Sequence, residues 1–171
     1  LLGCDALVAS NPETLRKLSP SCHAIVNTQT TETRDFLYTA EATTFTEETA
    51  QLIRRIVGEH QIDALDASML AIALTGDAIA ANLFLVGLAS QRGLLPISPT
   101  AIERAIEVNG VAVELNQSAF TWGRRFVEQQ KKVLALLPKS TSTQLTSLDD
   151  IVADREARLV CYQSEGYAAL Y

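Results

Sequence analysis

The sequence predicts an α/β protein in which a small, mainly parallel sheet lies between helices in a three-layer α/β/α arrangement. A short apolar run, a short helix and a β-branched run follow one another at the start of the chain, which is typical of a parallel βαβ unit. Apolar residues recur with helical spacing after residue 67, so the C-terminal half should be helix-rich. The 171 residues, 47% of them hydrophobic and 20% charged, have an ordinary globular composition.

The N-terminal segment is predicted to form a strand and then a short helix. Residues 5–9 are an apolar run, D-A-L-V-A, that ends at Ser10. Asn11 can cap the helix, because its side-chain oxygen accepts a hydrogen bond from the first turn, and Pro12 suits the first helical position.

The second strand is predicted at residues 23–27, H-A-I-V-N, and a polar run begins at Thr28. Ligands of parallel sheets bind beyond the carboxyl ends of the strands. We therefore expect Ser10, Asn27 and Thr28 to face a site at that edge of the sheet.

The middle of the chain is predicted to contain a short extended piece at 36–38, a helix that opens near residue 46, a third strand at 62–66 and a short helix at 67–74. The first of these helices carries an apolar stripe that we expect to be buried. The stripe consists of Leu52, Ile53, Ile56 and Val57.

The stretch 77–92 is predicted to be one buried helix around which the chain is organised. Thr75 or Asp77 can cap its start, and Gly93 fits the left-handed position just past its end. Asn82 is its polar exception. A buried amide without partners costs about 1–3 kcal/mol, so we expect Asn82 to bond to a neighbouring backbone, a ligand or another subunit. The apolar faces comprise Ile79, Leu83, Val86 and Ser90, and next to them Ala80, Phe84 and Leu88.

Two further helices are predicted before residue 138. The first starts at Ser98-Pro99 and stops at Asn109-Gly110. The second covers residues 111–137 and contains Gly123 at a cost of ~1 kcal/mol relative to alanine, so close packing or a kink should explain this glycine. Its inward line is predicted to comprise Val111, Leu115, Ser118, Trp122, Phe126, Val133 and Leu137.

These elements are predicted to form one domain over residues 1–137, followed by a polar loop over 138–146. A C-terminal helix over 147–171 begins close to a capping box and packs on that domain or on a neighbouring one.

The charge of the chain argues against nucleic acid and anionic membranes as partners. The net charge is −6 and the isoelectric point is near 4.9, whereas such surfaces are bound through clustered lysine and arginine. The one tight basic cluster, Arg124-Arg125 with Lys131-Lys132, contains Glu128 and is interpreted as a solvated face or a partner contact. No apolar run reaches the roughly 18–20 residues that span a bilayer.

The three cysteines, Cys4, Cys22 and Cys161, lie far apart and form no C-x-x-C pair. This pattern is typical of reduced thiols in a cytoplasmic protein. Cys4 and Cys22 with His23 and His60 match no structural zinc spacing. We therefore expect no metal site in the chain.

Motifs of catalysis are absent from the sequence, which contains no G-x-S-x-G, P-loop, H-E-x-x-H or G-x-G-x-x-G. Asp63 and Asp66 are interpreted as a strand end and a helix cap rather than as paired acid–base carboxylates. His23 and His60 are each lone in the sequence and are interpreted as solvated or hydrogen-bonded residues rather than catalytic ones. Asn82 and Asn116 are each predicted to lie in an apolar helix, where amides that tie helices together are favoured over ligand contacts.

Several segments nevertheless resemble one protein family. Residues 75–84, T-G-D-A-I-A-A-N-L-F, with Gly87, are similar to the G-D-S-I-A-T-N-L-F-x-x-G segment of indolepyruvate ferredoxin oxidoreductases. Residues 105–116 resemble the A-I-E-L-N-G-V-A-V-E-x-N of that family, and residues 119–125 resemble its A-F-x-W-G-R-R. Matches at 1–5, 24–28 and 159–171 extend the resemblance over almost the whole chain.

The resemblance implies the gamma-type domain of a 2-oxoacid:ferredoxin oxidoreductase, with an α/β/α fold. Such enzymes oxidatively decarboxylate a 2-oxo acid, here an aryl one such as indolepyruvate, with thiamine diphosphate and 4Fe-4S clusters, and coenzyme A takes up the acyl group. In this family the thiamine site and the clusters lie in other domains. The glycine-rich G-G-x-G turn that begins the gamma domain is missing here, so we expect the C-terminal part of that domain, inactive alone.

Under this resemblance the chain forms a wall and interface of the active-site assembly. Asn27, Asp77 and Asn82 are the candidates for contacts with substrate or cofactor, and Asn116 and Arg124 for subunit packing. No catalytic residue is expected. The implied partners are other domains or subunits of the same oxidoreductase in a homo-oligomer, and a ferredoxin-type acceptor for the whole enzyme.

Two other classes stay open. A non-catalytic interaction domain would form a stable complex with a partner without contributing to activity. A nucleotide-binding α/β enzyme would need a glycine-rich phosphate turn elsewhere in the protein.

Overall fold

The computed structural model divides the chain into two compact units, Leu1–Pro138 and Lys139–Tyr171. It describes residues 1–29, 47–58 and 60–137 of the first unit, and residues 148, 152, 153, 155, 156, 159, 160, 164 and 166 of the second. All of these second-unit residues except Ser164 are helical. The extended piece predicted at 36–38 and the loop predicted at 138–146 lie outside the described residues.

The described part of the first unit contains three short strands and seven α-helices, with a 3-10 helix before the fifth. In chain order they are β1 Leu2–Gly3, α1 Ala6–Ala9, α2 Pro12–Leu15, β2 Ala24–Asn27, α3 Glu47–Val57, β3 Ile62–Leu65, α4 Ala67–Thr75, the 3-10 helix Ala78–Ala80, α5 Ala81–Gln91, α6 Pro99–Asn109 and α7 Val113–Ala135.

The three strands form a parallel sheet in the order β1-β2-β3. Leu2 lies opposite Ile25, and the four residues of β2 lie opposite the four of β3, from Ala24 with Ile62 to Asn27 with Leu65. All four residues of the central strand β2 are buried. The predicted α/β class with a parallel sheet is therefore confirmed.

Helices cover both faces of this sheet. Alternate side chains of β2 point to opposite faces, so they pack into two different core clusters. Ala24 and Val26 belong to a core cluster with residues of α1 and α3, including Ile53. Ile25 belongs to a larger cluster built from α4, α5 and α7, in which Phe84 is fully buried. The sheet thus lies between two helical layers.

The prediction for residues 5–9 is wrong, because this run forms helix α1 and the strand lies earlier, at β1. Asp5 Oδ1 accepts a hydrogen bond from the Val8 N–H at 2.9 Å and caps the helix. A short apolar run fits either a strand or a buried helical turn, and the carboxylate one residue ahead favours the helix.

The predicted starts of α2 and α6 and the predicted end of α6 agree with the structure. Asn11 caps α2 with Pro12 at its first position, and Ser98 caps α6 ahead of Pro99. Gly110, after α6, has φ +70°, in the left-handed region that glycine enters without a steric penalty.

The organising stretch differs from its prediction in two respects. It begins with the 3-10 helix, which Asp77 caps, before it continues as α5. Its buried side is the line of Ala81, Phe84, Leu85 and Leu88, while Asn82 is exposed and Ile79 is 72% exposed. The expectation that Asn82 is buried within this unit is therefore wrong, since packing covers one side of this helix, and its contact with a ligand or another subunit stays a prediction.

The long helix predicted at 111–137 begins two residues later, at Val113. Ala112 ahead of it has φ +45°, and Val111, predicted to point inward, is 65% exposed. Gln129 interrupts the helix with φ −135° and ψ 39°. Leu52 of the stripe predicted for α3 is likewise exposed, whereas Ile53 and Val57 are fully buried.

In the part of the chain that is described, no helix has both the length and the apolar character that crossing a bilayer requires.

Candidate functional site

The crossing of α5 and α7 is the tightest contact between two helices that the structure describes. A Cβ atom built on Gly87 would lie 2.1 Å from the Phe120 carbonyl oxygen, and one built on Gly123 would lie 1.9 Å from the Phe84 carbonyl oxygen. Real side chains do not approach backbone so closely, so each helix presents a glycine to the other. This close packing explains the presence of Gly123 inside a helix, where glycine is otherwise unfavourable.

Aromatic side chains reinforce the same crossing. The rings of Phe84 and Phe126 meet edge to face, with centroids 5.7 Å apart, an arrangement that aromatic pairs prefer. Phe120 of α7 is fully buried against Ile102 and Ile106 of α6. The crossing is thus a close-packed, apolar contact.

Asn27 lies at the carboxyl end of β2, as expected, and its side chain is buried. Its Nδ2 donates to Ser68 Oγ at 3.0 Å and to the Cys4 carbonyl at 3.4 Å. Its Oδ1 accepts from the N–H groups of Ala67 at 3.0 Å and Gln29 at 3.2 Å. These four bonds use both donors and both acceptor positions of the amide, and they join β1, β2 and α4.

The remainder of the carboxyl edge carries two carboxylates that cap helices. Asp5 caps α1, and Asp66 Oδ1 accepts from the Met69 N–H at 2.7 Å. The prediction that Asp66 is a helix cap is therefore confirmed. The Thr28 N–H donates to the Leu65 carbonyl at 2.9 Å and continues the ladder with β3. Phosphate groups are repelled by such capping carboxylates, because both compete for the same helix termini.

Three further candidates make local contacts or face solvent. Asp77 is exposed, and its Oδ1 accepts from the Ile79 N–H at 2.9 Å. Asn116, half-buried, donates through Nδ2 to the Val111 carbonyl at 3.0 Å. Asn82 faces solvent. The described contacts join none of these three residues to Asn27.

Arg124 connects three helices of the first unit. Its Nε donates to Gln91 Oε1 at 3.1 Å, its guanidinium lies 3.7 Å from Glu103 Oε1, and it stands over the Phe120 ring at 5.8 Å. Arg124 also lines an open groove of about 250 Å³ on α7. Whether it packs against another subunit stays a prediction.

A polar cluster near the amino-terminal end of β2 was not predicted. His23 Nε2 lies 2.9 Å from Asp63 Oδ2, and Asp63 Oδ1 accepts from Arg92 at 2.6 Å. The contact agrees with the interpretation of His23 as a histidine whose hydrogen bonds are satisfied, although its partner Asp63 was not predicted. Aligning the two predicted strands in parallel brings residues 23 and 63 close together, so the contact could have been predicted from the strand register.

Beside this cluster lies a cavity of about 320 Å³ with a mixed lining, in which Cys22, His23 and Ser21 lie among apolar residues such as Ile25 and Leu95. The Ser19 hydroxyl and the Ser19 N–H, each 3.4 Å from Cys22 Sγ, lower the pKa of this thiol. Burial raises the pKa of the Cys4 thiol, because the thiolate loses its solvation.

The described side chains do not fit the cofactors that the resemblance implies for the whole enzyme. In the described ranges, histidine, cysteine and acidic side chains nowhere gather as a group of three or more that could hold a metal ion. Cys4 and Cys22 lie in different core clusters, so they do not fit a 4Fe-4S cluster, which needs four thiolates. The capped carboxyl edge does not fit the diphosphate of thiamine diphosphate. We therefore assign neither group to these residues.

Comparison of the chain with protein-family models, with curated proteins and with solved structures gave no match.

Proposed function

We infer that this chain is a scaffold domain within a cytoplasmic 2-oxoacid oxidoreductase, of the type that decarboxylates an aryl 2-oxo acid and passes electrons to ferredoxin. In this proposal the chain forms a wall of the active-site assembly, and it supplies neither the thiamine diphosphate site nor the 4Fe-4S clusters. Coenzyme A, as acyl acceptor, and the redox groups are bound by other domains or subunits.

One observation carries the scaffold role. Two of the sequence segments that carry the resemblance, 75–87 and 119–125, contain the residues of the α5–α7 crossing. Gly87 and Phe84 come from the first segment, and Gly123 and Phe120 from the second. All four residues contribute to close packing between two helices, which is a structural role. None of them carries a group that could act in catalysis.

Asn27 supports the same role, because its amide is fully engaged within the chain. Asp77 and Asn82 are the candidates that keep exposed polar atoms. They are therefore the better residues of the three for a contact with another domain or with a ligand at the domain boundary.

The test uses the full-length native protein that contains this chain. We expect absorbance from iron–sulfur clusters, and dye reduction that depends on indolepyruvate, thiamine diphosphate and coenzyme A. A colourless protein without substrate-dependent reduction would reject the oxidoreductase assignment.

Asn82→Leu in that protein tests whether the Asn82 amide bonds to another domain or to a ligand. Because Asn82 is exposed in this unit, we expect unchanged stability of the unit, and a fall in turnover if another domain or a ligand bonds to its amide. Thr100→Leu, at another exposed polar residue on the neighbouring helix α6, is the matched control. Unchanged turnover in both variants removes Asn82 from the candidates.

A non-catalytic interaction domain is the second candidate function. Large apolar side chains favour it, since Ile79 and Val108 are each 72% exposed and Val111 is 65% exposed. Deleting this chain from the full-length protein distinguishes the scaffold domain from the interaction domain. Loss of partner binding with unchanged activity supports the interaction domain. The nucleotide-binding class has less support, because Asp5 and Asp66 cap the helices where phosphates would bind.

A further inference from the structure

The groove on α7 combines features that the scaffold role does not use. It has a volume of about 250 Å³ and is lined by Gln91, Thr121, Arg124, Arg125, Glu128 and Gln129. Every lining side chain is therefore polar. We propose that this groove binds a small organic monocarboxylate, with the Arg125 guanidinium as the group that holds the carboxylate.

Arg125 has hydrogen-bonding capacity to spare. Its guanidinium carbon lies 5.2 Å from the centre of the Trp122 ring, so cation–π attraction orients it. Within the described residues no carboxylate pairs with it, whereas Arg92, Arg104 and Arg124 each face an acidic partner. A guanidinium presents two parallel N–H groups that match the two oxygens of a carboxylate.

Neighbouring side chains hold the groove in shape. Gln91 accepts from Arg124 at 3.1 Å and donates through Nε2 to Glu128 Oε1 at 2.9 Å. These bonds fix Arg124 and Glu128 against α5. Thr121 and Gln129 lie one turn to either side of Arg125 on α7 and offer a hydroxyl and an amide to a ligand.

The kink at Gln129 distinguishes this part of α7 from an ordinary helix surface. The backbone of Gln129 is non-helical, at φ −135° and ψ 39°, and the residue lines the groove.

Charge and size select the class of ligand. The lining carries the cations Arg124 and Arg125 and the carboxylate of Glu128, and Glu103 lies beside Arg124. Glu128 and Glu103 repel a doubly charged phosphate more strongly than a singly charged carboxylate, and Arg125 is the groove cation without an acidic partner among the described residues. The volume lies below that of ordinary drug-sized pockets, so the ligand must be small.

The single tryptophan of the chain reports on binding, since Arg125 stands over Trp122. We would titrate the 171-residue chain with sodium lactate at constant ionic strength and record tryptophan emission and the backbone amide resonances of residues 121 and 129. We expect a saturable change with lactate, and binding at least about tenfold weaker for neutral lactamide and for inorganic phosphate. Equal responses to lactate, chloride and phosphate would indicate charge screening and overturn the proposal.

Arg125→Gln is the decisive variant and Lys132→Gln its control, because both remove one positive charge from exposed positions of α7. With the amide resonances as readout, which do not depend on stacking over Trp122, we expect Arg125→Gln to weaken lactate binding at least about tenfold. Arg125→Lys should weaken it less, since the charge remains and the paired N–H groups are lost. Equal weakening by Lys132→Gln, or unchanged affinity in Arg125→Gln, contradicts the assignment.

Discussion

The α5–α7 crossing and the carboxyl end of β2 stabilise the first unit by contrasting means. At the crossing, Gly87 and Gly123 lack side chains, so two helix backbones approach each other where any Cβ would collide with a carbonyl. At the end of β2, Asn27 fills the interior with a polar side chain whose every hydrogen-bonding position is used. The first contact tolerates no added atom, and the second tolerates no lost partner.

The two regions also differ in how readily their structural role is recognised from the sequence. A glycine inside a predicted helix already lowers helix stability and so calls for an explanation. An asparagine at a strand end is common at turns and calls for none. Its role depends on which backbone groups the fold brings around it.

Gly123→Ala should have the largest effect. The new Cβ would lie 1.9 Å from the Phe84 carbonyl oxygen, which cannot rotate away because it belongs to helix α5. We expect the free energy of unfolding to fall by about 3 kcal/mol despite the better helix propensity of alanine. Urea denaturation followed by Trp122 emission measures it.

Gly110→Ala is the control for this prediction. A Cβ at Gly110 meets no atom within 4 Å, so the effect there is limited to the strain of φ +70°, about 1 kcal/mol. Equal destabilisation by the two variants would mean that the crossing is looser than the structure indicates.

Asn27→Leu should rank second. The substitution leaves the buried N–H of Ala67 and the Ser68 hydroxyl without the partner that Asn27 provides, and we expect a loss of about 2 kcal/mol in the free energy of unfolding. The same change at Asn116, whose single described bond is exposed, should stay within about 0.5 kcal/mol. If thermal or urea denaturation orders the two variants the other way, the Asn27 contacts are not the ones that stabilise the sheet.

Asp63→Asn extends the comparison to the amino-terminal end of β2, where water competes for polar groups. The carboxylate of Asp63 is 20% exposed and its partner Arg92 is 39% exposed. We expect a loss of about 1 kcal/mol, near the upper limit for exposed ion pairs. Glu107→Gln removes the more exposed pair with Arg104 and should change stability by less; a larger effect than that of Asp63→Asn would contradict this ranking.

The two described cysteines provide a smaller and purely chemical test. Because Ser19 lowers the pKa of Cys22 and burial raises that of Cys4, a larger fraction of Cys22 is thiolate at any given pH. Iodoacetamide should therefore alkylate Cys22 faster, with a rate that rises at lower pH than the rate for Cys4. Peptide mass spectrometry measures both rates. Ser19→Ala removes the hydroxyl and should slow alkylation of Cys22 alone; unchanged kinetics would exclude Ser19 as the cause.

The sequence indicated which residues of the candidate site to consider, but not which of them are buried or in contact with one another. Asn27 was expected at the carboxyl edge and lies there. Asn82 was expected to be buried because its helix is apolar on nearly all sides. Such a helix does not reveal which side its neighbours cover, and the structure leaves Asn82 and Ile79 exposed. Arg125 was seen as part of a basic cluster, but the kink at Gln129 and the stacking on Trp122 are tertiary features.

The sequence by itself determined the local boundaries of this protein. Helix boundaries depend on backbone geometry and on hydrogen bonds within a few residues, so they can be predicted without knowledge of the fold. Examples are Asn11-Pro12, Ser98-Pro99 and Asn109-Gly110. The tertiary structure decided the rest. Gly87 meets Phe120, and His23 meets Asp63, across separations of more than 30 residues. These pairs depend on which helix faces and strand registers come together, because long-range packing, and not local propensity, fixes the distance between them.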